Sequence, residues 1–263
     1  MPAYGRPHAY ARAVLRILDA RTGEPVAAAP ARRGLTRIEA HASGLDPTAL
    51  RVLLTADLLV RALEIGGTPV WATLSAPRDQ AELRTAATTL AIRPFEDGRD
   101  LASGLGEAQA VHVLAEGARA PGAGTLLTVA PVLWPGQAEP GDRPPLAALL
   151  SSPTALRLAL LSVPRSEPVR LDAGVLAEAG RRLAHWRRAV AGWARHPSRP
   201  VPDEVRARLR AAWEDDLDLP AVLGVLRDVE NAPDIPDGAR FETCAHVDRL
   251  LALDLTRDIG SLS

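Results

Sequence analysis

A histidine, a serine, a glycine and an aspartate stand close together at His41, Ser43, Gly44 and Asp46. A Ser/His pair of this kind is raw material for nucleophilic catalysis, in which the imidazole takes the hydroxyl proton. The same four residues also describe an ordinary strand-to-helix turn, with His41 at the strand end and Asp46 capping the helix, and that reading is adopted. They are assigned to ligand binding in the crevice at the carboxyl ends of the strands, the usual site in an open α/β sheet. No residue is assigned to catalysis. Cys244 and His246 lie two apart in a helical segment, but one thiol and one imidazole do not complete a zinc site, and a buried thiol is expected. The six histidines, at 8, 41, 112, 185, 196 and 246, are scattered rather than paired at ligand spacing. No metal and no cofactor is therefore expected. Asp215, Asp216 and Asp218 read as structural, with Asp218 capping a helix. The run P-G-A-G-T (121–125) is not a phosphate loop, because no G-K-[ST] follows. Arg181, Arg188 and Arg195 recur every seventh residue on one helix face and are candidates for contact with RNA phosphates or a protein partner.

The elements that must position these residues change character along the chain. Apolar runs at 13–18, 36–42, 69–75, 110–114 and 125–132 read as strands, several of them continuous, as parallel strands covered on both faces are. Between the second and third lies a helix. Asp46 is its natural N-cap, Pro47 fits the first turn, the apolar period runs from Leu50 to Leu63, and Gly66-Gly67 ends it. A strand–helix–strand unit of this kind is a right-handed parallel crossover. A second helix covers 79–90. The segment 135–145, with four prolines and two glycines, reads as a loop or linker. After it the pattern is all-helical. Leu176, Ala179, Leu183, Trp186, Val190 and Trp193 form a stripe at spacings of three and four, with Asp172 as the cap. Further helices are expected over 203–213, from Pro220, and after the break at 233–238. The expected architecture is α/β, a Rossmann-like parallel-sheet domain (1–134), a Pro/Gly-rich linker (135–146) and an all-α helical bundle (147–263).

Composition narrows the classes. With 263 residues, 47% hydrophobic but only 3% aromatic, the core must be packed by Ala, Leu and Val. No apolar run approaches the ~20 residues of a membrane span. The N-terminus lacks the apolar core of a secretion signal, and a cytoplasmic protein is expected. The single cysteine excludes an internal disulfide. All 31 basic residues are arginine, a pattern that GC-rich coding explains, so no lysine is present to contact a phosphate. From 157 to 210 there are 12 Arg against 5 Asp/Glu, and from 211 to the end 4 Arg against 12 Asp/Glu. A basic helix packed beside an acidic one accounts for this split.

Several segments, taken in order, resemble the class I cysteinyl-tRNA synthetases and their actinobacterial relative, the mycothiol cysteine ligase. These are L-R-I-L-D-A-R-T-G-E-P-V (15–26), A-D-L-L-V-R-A-L-E-I-G-G-T-P-V (56–70), T-T-L-A-I-R-P-F (88–95), T-L-L-T-V (125–129), S-P-T-A-L-R-L-A-L-L-S (152–162), W-E-D-D-L-D-L-P (213–220) and V-D-R-L-L-A-L-D-L (247–255). The resemblance implies a nucleotide-fold core followed by the helical domain that, in the synthetases, packs near the tRNA stem. It also implies cysteine activation as an adenylate, through an H-I-G-H motif, a K-M-S-K-S loop and a zinc-bound thiol. This sequence departs from all three. D-P-T-A (46–49) stands on the first motif, where the family's histidines stabilise charge on the ATP phosphates. V-L-W-P-G-Q (132–137) stands on the second. I-E-A-H-A-S (38–43) lies where the first zinc-ligating cysteine belongs, and the insertion that carries the others is replaced by A-E-G-A-R-A-P-G-A-G (115–124).

The resemblance with these losses implies a degenerate, truncated paralog in an actinobacterium-like cytoplasm, a binding or regulatory pseudoenzyme whose ligand is a small nucleotide or amino acid. Two other classes stay open: an active ATP-dependent cysteine or amino-acid ligase with a rebuilt site, and a tRNA- or RNA-binding module. The chain stops soon after Leu255, and the synthetases' anticodon-reading extension is expected to be absent.

Overall fold

The computed structural model describes residues 14–30, 36–97, 109–119, 122–134 and 146–261. The sequence-predicted linker falls almost wholly outside them.

The chain opens with an antiparallel hairpin, β1 (Arg16–Asp19) and β2 (Glu24–Ala27). Then come β3 (Thr36–His41), α1 (Pro47–Ile65), β4 (Val70–Ser75), α2 (Gln80–Thr89) and the short edge strand β5 (Glu96–Asp97). The chain returns to β6 (Gln109–Ala115) and β7 (Thr125–Val129), which complete a five-stranded sheet of order β5-β4-β3-β6-β7, parallel throughout. The Rossmann-like α/β class is thus observed. The direction of winding reverses between β3 and β6, which makes their carboxyl ends the switch point where such sheets open a crevice.

The expected first strand is a correction. It lies outside the parallel sheet, in the hairpin, because the turn at Arg21–Gly23 (Gly23 at φ +73°) folds the chain straight back. The expected strand over 125–132 is likewise split. β7 ends at Val129, and β8 (Val132–Leu133) pairs with β9 (Val169–Arg170) in a separate two-stranded ladder.

α1 forms where local signals say it should. The Asp46 carboxylate accepts the Ala49 N–H at 2.8 Å, Pro47 opens the first turn, and Gly67 at φ +79° follows the end. Fourteen of its residues are buried, on nearly every side. A helix buried on nearly every side is an interior helix: α1 touches β3, β4, β6 and β7 of the sheet and also α8 of the C-terminal region (Asp237–Leu251).

The helices of that region are α3 (Leu146–Leu150), α4 (Pro153–Leu161), α5 (Ala173–Trp193), α6 (Asp203–Glu214), α7 (Leu219–Asn231) and α8 (Asp237–Leu251). α5 begins at its Asp172 cap, which takes the Val175 N–H at 2.8 Å, and α7 at Asp218, which takes that of Ala221 at 2.9 Å. Leu183, Trp186 and Val190 of the α5 stripe are buried, Trp186 to 5% exposure with its Nε1–H donating to Glu230 at 3.0 Å. One continuous apolar core runs from the sheet through α1 into these helices. The charge split along the chain is partly used internally: Arg208 of α6 pairs with Asp228 of α7, and Arg187 of α5 donates to the carbonyls of Leu253 and Asp254.

Candidate functional site

Side chains alternate along β3, so Ile38 and Ala40 enter the core under α1 while Arg37, Glu39 and His41 emerge together on the opposite face. β6 runs beside it in parallel register with Glu39 opposite His112, which puts His112 on that same face. The two adjacent strands at the switch point thereby bring three side chains together. The Glu39 Oε2 atom lies 3.1 Å from His112 Nδ1 and 3.5 Å from His41 Nε2, and the two ring nitrogens are 3.1 Å apart. Histidines scattered in sequence thus include a pair in contact.

The connection from β6 to β7 borders this group. Ala123 offers its carbonyl to His112 Nε2 at 3.0 Å. Gly124 sits at φ +134°, and a Cβ there would stand 2.7 Å from the Ala110 carbonyl oxygen and 3.0 Å from the His112 ring. The glycine is what allows the connection to close over the imidazole. His112 is buried and Glu39 and His41 are about one-fifth exposed, so the group is supported from behind and accessible from one side.

Electrostatics follow the contacts. Hydrogen bonds from His112 and then His41 hold the Glu39 carboxyl well below the usual carboxylate range, against the opposing effect of burial, with Arg37 adding to them. The Glu39 contact raises the pKa of His112, again against burial, with Ala123 assisting. Arg37 also forms an ion pair with the other carboxylate oxygen, Oε1.

The remaining expected site residues lie along the next turn and do different work. Ser43 is exposed and accepts the Arg78 Nε–H on its backbone carbonyl at 3.1 Å. Gly44 leaves room for its neighbour, since a Cβ would meet Asp79 Oδ2 at 3.1 Å. Asp79, at φ +53° ahead of α2, accepts the Leu45 N–H at 3.2 Å and stitches the two loops together. Asp46 is the cap of α1. Of the four, only His41 joins the cluster. Its companions Glu39 and His112 were missed. Glu39 was within reach of an i, i+2 rule on a strand face, whereas nothing local marks His112.

Elsewhere, Arg181 and Arg188 are exposed on α5 and Arg195 just beyond it, with Arg181 held by Glu178 at 2.7 Å. Cys244 is buried in α8. Burial first, then Asp248 and Glu230, push its thiol up to about 12. Asp216 binds the Leu18 N–H at 2.8 Å and pairs with Arg165, so the 215–218 turn fastens the N-terminal hairpin to the helices and is structural.

A parallel five-stranded sheet with its switch point at β3 and β6, followed by a helical region docked on α1, defines a Rossmann-like α/β protein with a C-terminal all-α part. No model of a protein family matches the chain. Two curated proteins do align with it, each an L-cysteine:1D-myo-inositol 2-amino-2-deoxy-alpha-D-glucopyranoside ligase. The one from Streptomyces griseus is 38% identical over 109 residues, 39% of this chain and 25% of the ligase. The one from Streptosporangium roseum is 42% identical over 76 residues, 29% of this chain and 18% of the ligase. The chain thus spans a quarter or less of the length of these relatives. Over those stretches the chain is similar to these ligases.

The zinc implied by that family rests on thiolates. The single cysteine of this chain is enclosed in α8, its thiol held protonated by burial, so the family's thiolate donor set does not fit the residues present. Among the described residues, no helix is long and apolar enough to cross a membrane.

Proposed function

We propose that this chain is a catalytically degenerate relative of the cysteine ligases that acts by binding, as a regulatory or ligand-holding protein, rather than by forming an aminoacyl adenylate. One observation carries the reading: the start of α1 is occupied by carboxylates. A helix N-terminus is a natural phosphate site because its first N–H groups and the positive end of its dipole point outward. Here Asp46 takes the Ala49 N–H and Asp79 takes that of Leu45, with both negative charges at the entrance. An ATP phosphate placed there meets repulsion, finds the Ala49 donor of the helix already engaged, and finds the Leu45 N–H just ahead of the cap taken as well. Ala49, on the last position of the family's first motif, is buried and offers no side-chain donor.

The direct test is cysteine-dependent ATP–pyrophosphate exchange by the purified chain. The expected result is exchange at the level of a control without protein. Exchange well above that control, and lost in Asp46→Ala or Ser43→Ala, overturns the reading in favour of a ligase with a rebuilt site.

A second reading rests on the exposure of Arg181, Arg188 and Arg195 along one side of α5 and its end. Such a row suits contact with RNA phosphates. It predicts salt-dependent tRNA binding that weakens when Arg181 and Arg188 are replaced by Ala. Salt-independent binding, or none, removes it.

A further inference from the structure

We infer that Glu39, His41 and His112 form a binding site for a single divalent transition-metal ion at the switch point of the sheet. The inference is independent of whether ligase chemistry is lost, since none of the three atoms concerned belongs to the α1 entrance.

The first support is distance. The donor atoms Glu39 Oε2, His41 Nε2 and His112 Nδ1 are separated by 3.1, 3.1 and 3.5 Å, and all lie within 4.8 Å of one another. An ion with bonds of about 2.0–2.2 Å and ligand angles between octahedral and tetrahedral holds neighbouring donors about 3.0–3.5 Å apart. The triangle on the protein has those edges already. An ion fitting it would lie just off the plane of the three atoms and keep one side open to water or a ligand.

The second support is orientation. His112 Nε2 faces the Ala123 carbonyl at 3.0 Å and can satisfy it only as an N–H donor. In the neutral ring Nδ1 is then the lone-pair nitrogen, and it points at a carboxylate oxygen and at a second imidazole nitrogen. A backbone carbonyl fixing one ring nitrogen while the other binds the ion is the usual outer support of a metal-ligating histidine. Arg37 plays a comparable part for Glu39 by taking Oε1 and leaving Oε2 toward the histidines.

The third support is rigidity. Glu39 and His41 are i and i+2 on one strand face, and His112 is the register partner of Glu39 on the adjacent strand. Three ligands on paired central strands are held by the sheet itself, which favours a precise site over one built on loops. Gly124 adds the close packing that fixes the His112 ring.

The donor chemistry selects the ion. Two imidazoles and one carboxylate favour zinc, cobalt, nickel or ferrous iron over magnesium and calcium, which prefer oxygen. The site is not a thiolate site and does not use Cys244.

The test uses the whole chain, stripped with a chelator and titrated with Co2+, followed by its visible absorption and by competition with Zn2+. The expected result is one Co2+ per chain, displaced by Zn2+ but not by excess Mg2+. Paramagnetic broadening should reach the ring resonances of His41 and His112 and spare those of His185 and His196. His41→Ala and Glu39→Gln should each weaken binding at least ~100-fold, since loss of an outer-shell partner alone costs about 10–100-fold. His185→Ala, outside the cluster, should bind as the parent does. If one variant does not fold, the other and the broadening pattern in the parent protein still decide the matter. Absence of Co2+ binding by the parent overturns the inference and leaves a proton as what binds the cluster. Binding that survives both substitutions, or broadening centred on His185 or His196, overturns it equally.

Discussion

Among the buried charged side chains of this molecule, two groups are built on opposite principles. Where the C-terminal helices dock on α1, Asp57 is 1% exposed and receives Arg61 Nε at 2.8 Å, Arg93 Nε at 3.1 Å and Arg157 Nη2 at 3.4 Å. Arg157, equally buried, also donates to the carbonyls of Leu251 at 2.6 Å and Leu90 at 2.8 Å. Burial lowers its pKa to about 10, which leaves it charged at neutral pH. Donors face acceptors, and no lone pair of Asp57 is aimed at another lone pair. At the switch point, by contrast, a carboxylate oxygen and two ring nitrogens converge on one another, and a proton or an ion is needed between them. Burial and ionisable side chains are common to both places. Convergence of acceptors on an accessible face is what separates a candidate site from a structural clamp.

The strongest attack on that contrast is Arg157→Ala. It leaves Asp57 short of a buried counter-charge and two carbonyls without donors. Urea denaturation should show a loss of about 3–5 kcal/mol, the cost of breaking one half of a buried pair. A loss below about 1 kcal/mol would place the network with ordinary surface pairs and erase the difference. Trp186→Ala tests the same docked region through its apolar packing and should cost about 3–5 kcal/mol as a large core truncation. An unchanged melting temperature would put Trp186 on the surface and make α5 a binding face.

Gly124→Ala probes the other side. The positive φ and the close Ala110 carbonyl predict a loss of about 1–3 kcal/mol by thermal unfolding. A neutral result would mean that the connection does not close over His112 in solution. The smallest effect on stability is expected for Asp46→Asn, within about 0.5 kcal/mol, because asparagine caps a helix nearly as well as aspartate. Removing the charge should nevertheless tighten ATP binding, measured by calorimetry. Unchanged affinity would show that something other than the carboxylate keeps phosphate away from α1.

Several elements are legible in the sequence alone. The start of α1 is, because a cap and a first-turn proline act within four residues of one another. The stripe from Leu176 to Trp193 and the Asp172 and Asp218 caps are legible for the same reason. Pairing is not. The run at 15–19 has strand character, but which strand it joins depends on the turn and on Asp216, whose carboxylate takes the Leu18 N–H from 198 residues away.

The sequence by itself therefore determined the helices, the parallel α/β class, the absence of any lysine and the unsuitability of its lone cysteine as a metal centre. These are properties of residue type and of spacing within a few positions. Only the tertiary structure decided that His41 and His112, 71 residues apart, share a hydrogen-bond distance with Glu39 between them. Strand alternation sets which face a side chain takes, but the order of strands is set by crossovers and by burial of α1. No local propensity encodes that order, so the Glu39–His41–His112 cluster appeared only when β6 was seated beside β3.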